Sequence, residues 1–143
     1  MTNNRPERGA FAERAAHILR DKFAPWVQEL RLTVERTAPL VLRLSNRPEL
    51  SRVGGIVCGQ AIMAAADTAM VLAVSEALGD FTDMATVNMT TSFLAAAMGE
   101  DLLVTVEITR LGKSMAFGDA RISGATSGTL CAHATLTYSM RRS

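Results

Sequence analysis

The chain has 143 residues, with 15 lysines and arginines against 14 aspartates and glutamates, a formal net charge of +1. That balance supplies no field for drawing in nucleic acid or an anionic membrane surface, while the length suits one domain with a self-sufficient core. The two cysteines, Cys58 and Cys131, match no metal-ligand spacing and make no disulfide scaffold, so both are expected as reduced thiols in a cytoplasmic protein.

The N-terminal stretch alternates charged and apolar residues without the continuous apolar run of a secretory signal. Within it Phe11, Ala15, Ile18 and Leu19 recur at helical spacing, with Pro6 and Glu7 near the start and Pro25 past the end. This predicts an amphipathic helix from Glu7 to Phe23. Leu30, Leu32 and Val34 then alternate with Arg31, Thr33 and Glu35, and Leu40, Leu42 and Leu44 repeat the pattern less cleanly. A pair of strands with one buried face is expected, followed by a loop over "SNRPELSRVGG".

From Gly59 to Ala77 the alternation stops, and the residues are mainly Ala, Met, Leu and Val with almost no polar face. A helix apolar on nearly all sides has to be wrapped by something. Gly and Ala content, Gln60, Asp67 and the strand-like runs that follow argue against a membrane span over Val53 to Ser75. The wrapper is supplied by "MATVNMTTSFL", "DLLVTVEITRLG", "SMAFGDARISG" and "TLCAHATLTYSM", each of strand length and separated by glycine-containing turns. In the last run Leu130, Ala132, Ala134, Leu136 and Tyr138 share one face, with Cys131, His133, Thr135 and Thr137 on the other.

The expected fold class is therefore α+β: one antiparallel sheet curled around a long central helix, the hotdog layout. No linker divides the chain, so residues 1–143 are read as a single domain, with the N-terminal helix in 1–25 and the central helix region in 54–79.

Asp67 is the only Asp, Glu, Lys, Arg or His between Val53 and Ser75. An unpaired buried carboxylate either protonates or finds donors. Two readings stand: a structural aspartate bonded to backbone groups or to Thr68, or a functional acid, since perturbed acids gather at functional sites.

The ordered pieces Cys58-Gly59-Gln60, Asp67-Thr68-Ala69 and Thr86-Val87-Asn88-Met89 resemble the phenylacetyl-CoA-type thioesterases of the hotdog superfamily, as do the later "GEDLLVTVEITRLGKSMAFGDARI" and "GTLCAHATLTYSM". That family reads His-Gly-Gly where this chain has Cys58-Gly59-Gln60. The resemblance spans roughly Leu30 to Met140. It implies hydrolysis of an acyl-CoA thioester, with Asp67 as nucleophile or general base, the Gly59 amide as oxyanion donor and Thr86 placing the attacking water. It further implies Cys58, Gln60, Asn88 and Met89 around the substrate, and Arg110, Lys113 and Ser114 at the coenzyme A phosphates.

Gly59 and Asp67 are eight residues apart, roughly 12 Å along a helix axis. Both reach one carbonyl only if the amide comes from a second, antiparallel copy of the helix, which agrees with the family's dimer-interface sites. The expected partners are an acyl-CoA substrate and a second copy of the chain, in a homodimer or a dimer of dimers, without nucleic acid or membrane. No cofactor or metal is expected beyond the coenzyme A of the substrate. The alternative is a hotdog protein that binds acyl-CoA or another small ligand without turning it over. A hotdog hydratase is a third option, but the Asp and His pair it needs is not evident. His17 and His133 receive no catalytic role.

Overall fold

A computed structural model describes residues 5–141, with side chains from residue 9 onward. The first four and last two residues of the 1–143 domain reading lie outside the described residues.

Helix α1 (Arg5–Lys22) is followed by one short turn of helix, α2 (Pro25–Gln28), and by strands β1 (Thr33–Thr37) and β2 (Leu40–Leu44). A 3-10 turn at Pro48–Leu50 leads into a small hairpin, β3 (Ser51–Arg52) and β4 (Ile56–Val57). The central helix α3 (Gly59–Leu78) precedes four long strands, β5 (Met84–Phe93), β6 (Leu102–Leu111), β7 (Met115–Gly124) and β8 (Leu130–Met140). The six longer strands form one antiparallel sheet in the order β1-β2-β6-β7-β8-β5. It curls around α3 as a hotdog fold.

Register explains the core. Leu42, Val104, Ile122 and Ala132 stand in one cross-strand row, and Leu40, Val106, Ala120 and Ala134 in the next. Every one of these side chains is buried, and against them α3 buries twelve of its twenty residues. Helix α3 is long and apolar enough to cross a membrane by length and composition; here it is the core helix. It ends where Gly79 takes a left-handed conformation (φ 85°) and donates its amide to the Glu76 carbonyl at 3.2 Å. Helix α1 lays Phe11 and Ala15 into the same core and is tied to α3 by an Arg14–Glu76 ion pair at 2.6 Å.

Helix and sheet pack tightly at Gly118. A Cβ there would lie 2.6 Å from the Met70 sulfur and 2.9 Å from the Glu107 carbonyl oxygen. The sulfur can swing away, but the neighbouring strand's carbonyl cannot. Gly118→Ala is therefore expected to cost about 1–3 kcal/mol of stability, read as a lower midpoint in urea with unchanged slope.

Two expectations change at the N-terminal side. The alternation at Leu30 and Leu32 is not strand, because Pro25 suits the first turn of a helix and nucleates α2. Leu30 is then buried as the chain leaves that turn, and Arg31 takes a left-handed φ of 51°, so β1 begins at Thr33. The loop over residues 45–55 carries the 3-10 turn and the β3–β4 hairpin, turning at Gly54 and Gly55, both with positive φ.

Candidate active site

Helix α3 leaves one stripe uncovered. Gln60 and Met63 are exposed and Ala64 and Asp67 half-buried, whereas Ala61, Ile62, Ala65, Ala66 and the run from Thr68 to Ser75 are buried. Positions 60, 63, 64 and 67 have the i, i+3, i+4, i+7 spacing of a single helix face. Between Gln60 and Ser75 the helix is therefore uncovered along the face that carries Asp67.

The Asp67 carboxylate is held there by two hydroxyls. Thr86 donates its Oγ1 proton to Asp67 Oδ1 at 2.9 Å, and the Tyr138 hydroxyl donates to the same oxygen. The Tyr138 oxygen also lies 2.8 Å from the Asp67 backbone carbonyl. Among the described residues the hydrogen bonds to this carboxylate all fall on Oδ1, and Oδ2 is free. Thr68 is not a partner of Asp67, because its hydroxyl donates to the Ala64 carbonyl at 2.7 Å.

Strand register brings the two donors together. Thr86 of β5 is the direct cross-strand partner of Tyr138 of β8, and Ala116 of β7 is the partner on the other side. All three stand on the inner face, and the small Ala116 leaves room for the tyrosine ring. Immediately after Thr86 the β5–β8 pairing is interrupted by a bulge at Val87. Bulges re-aim side chains beside functional sites; this one turns Asn88 to the outer face beside Thr137 and returns Met89 inward beside Leu136.

Tyr138 is buried, at 1% exposure. That burial, the negative charge of Asp67 and the hydrogen bond donated to it hold the phenol far above the usual tyrosine range. It remains a proton donor to Asp67 at working pH. The sequence placed Tyr138 on one face of its strand with Leu130, Ala132, Ala134 and Leu136 but gave it no role. The available signal was general: a buried tyrosine hydroxyl needs a polar partner, and Asp67 is the one charged residue between Val53 and Ser75.

At the other end of the stripe, Gly59 is the first residue of α3, after Cys58 in an extended conformation (φ −68°, ψ 150°). The first amides of a helix have no partner within it, and the positive dipole end lies there. An apolar groove of about 430 Å³ opens beside Gly59, lined by Ile56, Ile62, Phe93 and Leu94, with Arg52 at its edge. A Cβ on Gly59 would come 3.2 Å from the Phe93 ring. Thus β5 meets Asp67 through Thr86 and reaches Gly59 through Phe93, running opposite to the helix along its uncovered stripe.

The remaining sequence candidates are distributed as follows. Cys58 is half-buried at the helix start, its amide bonded to the Leu50 carbonyl at 2.8 Å, and Gln60 is exposed on the stripe. Met89 packs against the core, whereas Asn88 faces away from Asp67 and accepts from the Thr90 hydroxyl at 3.3 Å. Arg110, Lys113 and Ser114 share an open groove with Met115 and Phe117 at the β6–β7 turn. Leu111, Ala116, Tyr138 and Thr86 form a continuous cross-strand row, so this turn sits at the Asp67 end of the sheet, about 14 Å from Thr86 at ordinary strand spacing. His133 stands on the outer face with Asp119 at 3.5 Å, and His17 on α1 meets Asp21 at 2.9 Å.

Comparison with known proteins gives this geometry a context. The model of the thioesterase superfamily matches residues 54–131, from the turn before α3 to the start of β8. No curated protein sequence matches significantly. Among solved structures, the chain is similar to AziG of S. sahachiroi, at 25% identity over 85% of this chain and all of that one, with a TM-score of 0.75. It is also similar to zebrafish thioesterase superfamily member 2 (19% identity, 93% and 97% covered, TM-score 0.78). The E. coli PaaI protein of the phenylacetic acid degradation operon aligns at 16% identity over 93% and 95% of the chains, with a TM-score of 0.76.

Proposed function

Because the chain belongs to the thioesterase superfamily, we propose that it hydrolyses an acyl-coenzyme A thioester to the free acid and coenzyme A at a site shared between two copies. The observation that carries this reading is the Asp67 carboxylate, held by two hydroxyls on the one uncovered stripe of α3.

The reaction needs a base or nucleophile and a donor for the oxygen that becomes negative. Asp67 takes a proton from water as the water oxygen bonds to the thioester carbon, or attacks that carbon itself through an acyl-enzyme that water then opens. In both routes the C–S bond breaks and the thiolate leaves as coenzyme A, recovering a proton. The oxyanion meets the Gly59 amide of the partner subunit. A two-fold axis through the stripe sets the helices antiparallel, so that each Gly59 faces the other copy's Asp67. The ten-residue edge strand β5, with Val87 and Phe93 exposed and Leu94 exposed just after it, supports pairing on this side, since a long unpaired edge is a surface that proteins cover. Arg110, Lys113 and Ser114 would meet the coenzyme A phosphates from the β6–β7 turn, and two such dimers could assemble further.

The test is a thiol-release assay over short, medium, long and aromatic acyl-CoAs. Turnover of at least one class, well above the uncatalysed rate, is expected. Tight binding of acyl-CoA without thiol release would overturn hydrolysis and make the protein a binding module, the alternative that Cys58 and Gln60, in place of the family's His and Gly, keep in view.

A further inference from the structure

We infer that Tyr138 is a positioning residue for Asp67: with Thr86 it fixes one carboxylate oxygen, so that the other, Oδ2, is the oxygen that reacts. This rests on the thioesterase reading of Asp67 and adds to it a residue and a division of labour between the two carboxylate oxygens.

The first support is the convergence of donors. Thr86 Oγ1 and Tyr138 Oη come from adjacent strands, in direct register, onto the same oxygen. A carboxylate presents roughly four lone-pair sites on two oxygens, so two donors on one oxygen make a specific arrangement. A half-turn about the carboxylate bond exchanges the oxygens but leaves one held and one free. The free oxygen keeps its lone pairs for a proton or for the thioester carbon.

The second support is the rigidity of the tyrosine. Its ring is buried between β7 and β5 with Ala116 and Thr86 as cross-strand neighbours, and its hydroxyl also touches the Asp67 backbone carbonyl. It therefore locates the aspartate's main chain and side chain together. A reactive group must be held within a fraction of an ångström by neighbours that are themselves locked. Thr86, on the exposed edge strand, lacks that burial; Tyr138 supplies it.

The third is electrostatic isolation. The inner-face positions around Tyr138 are Met84 and Met89 of β5, Ala116 of β7, Leu136 and Met140 of β8, and Ile108 and Leu111 of β6; the adjoining turn of α3 adds Met63, Ala64, Met70 and Val71. None is titratable. Asp67 is thus the charge that Tyr138 faces among the described residues. The arrangement also assigns the Thr86 proton to the carboxylate, leaving the Thr86 oxygen only an acceptor role toward water.

Tyr138 is the chain's only tyrosine, which permits a test that preserves its shape. Growth on 3-fluorotyrosine labels this position alone. The fluorine resonance should move in Asp67→Asn, because the group that accepts the phenol proton changes from a carboxylate to a neutral amide. In Tyr138→Phe, kcat should fall about tenfold to a hundredfold, the effect of losing one hydrogen bond to a charged group, with KM changed less than about threefold. A folded Tyr138→Phe enzyme with unaltered kcat would overturn the inference, and so would a fluorine resonance unmoved by Asp67→Asn, a readout that needs no stable Phe variant. Inactive Asp67→Asn beside a normal Tyr138→Phe sinks this inference alone. An active Asp67→Asn sinks the assignment of Asp67 to the reaction and this inference with it.

Discussion

Asp67→Asn is expected to lower kcat for thiol release by about three orders of magnitude or more, within the range carried by a general base or a covalent nucleophile. The substitution tests chemistry rather than folding for a reason visible in the hydrogen bonds. Asparagine keeps one oxygen, and the Thr86 and Tyr138 hydroxyls both donate to a single oxygen of the native carboxylate. The amide will therefore orient with its oxygen toward those donors, since the opposite orientation would set its NH2 against two O–H groups. The NH2 then stands where Oδ2 was, with no lone pair to accept a proton or attack a carbonyl. Asp67 is half-buried rather than enclosed, so a neutral replacement leaves no stranded polar group, and a melting temperature within a few degrees of wild type is expected. KM should move little. Thiol release within about tenfold of wild type, in a correctly folded variant, would remove Asp67 from the reaction.

The fold was legible in the sequence where periodicity was strong. Alternation in β6, β7 and β8 and the unbroken apolar run of α3 each demanded one arrangement, because a helix apolar on most sides needs a sheet around it. It was least legible at residues 24–32, where Leu30 and Leu32 mimic strand alternation; a proline at a helix start and a left-handed Arg31 decide the matter. Those are backbone effects that a hydrophobic pattern does not encode. At the candidate site, Asp67 stood out as a lone acid among alanines, and Gly59 was singled out through the resemblance of Cys58-Gly59-Gln60 to the family's helix start. Tyr138 was hidden because its link to Asp67 depends on cross-strand register, Thr86 opposite Tyr138, and a bulge at Val87 shifts that register for every later residue of β5. The same bulge separates Asn88 from Met89 in role: neighbours in sequence, they serve opposite faces of the sheet. Glu100 and Asp101, which received no role from the sequence, anchor other loops by accepting from the Ser127 and Asn46 amides.

The second large effect is expected from Gly59→Pro, which deletes the proposed oxyanion donor while leaving the helix in place. Proline is favoured at the first helical position because the amide there has no helical partner. The preceding residue must then be extended, and Cys58 already is, at φ −68° and ψ 150°. The ring would press on Phe93, whose side chain lies 3.2 Å from the Cβ site and is half exposed, so it can yield. Loss of one oxyanion-hole donor costs about 10²–10³ in kcat. The decisive experiment mixes this variant with Asp67→Asn, unfolding and refolding the two together in equal amounts. If Asp67 of one copy works with Gly59 of the other, half of the dimers are mixed, and each mixed dimer has one site with both groups intact and one with neither. About a quarter of wild-type activity should then return from two nearly inactive proteins, as two-fold symmetry requires. A site contained within one subunit predicts no recovery at any mixing ratio. Restored thiol release would fix both the partnership of the two helices and the side of the molecule on which they meet.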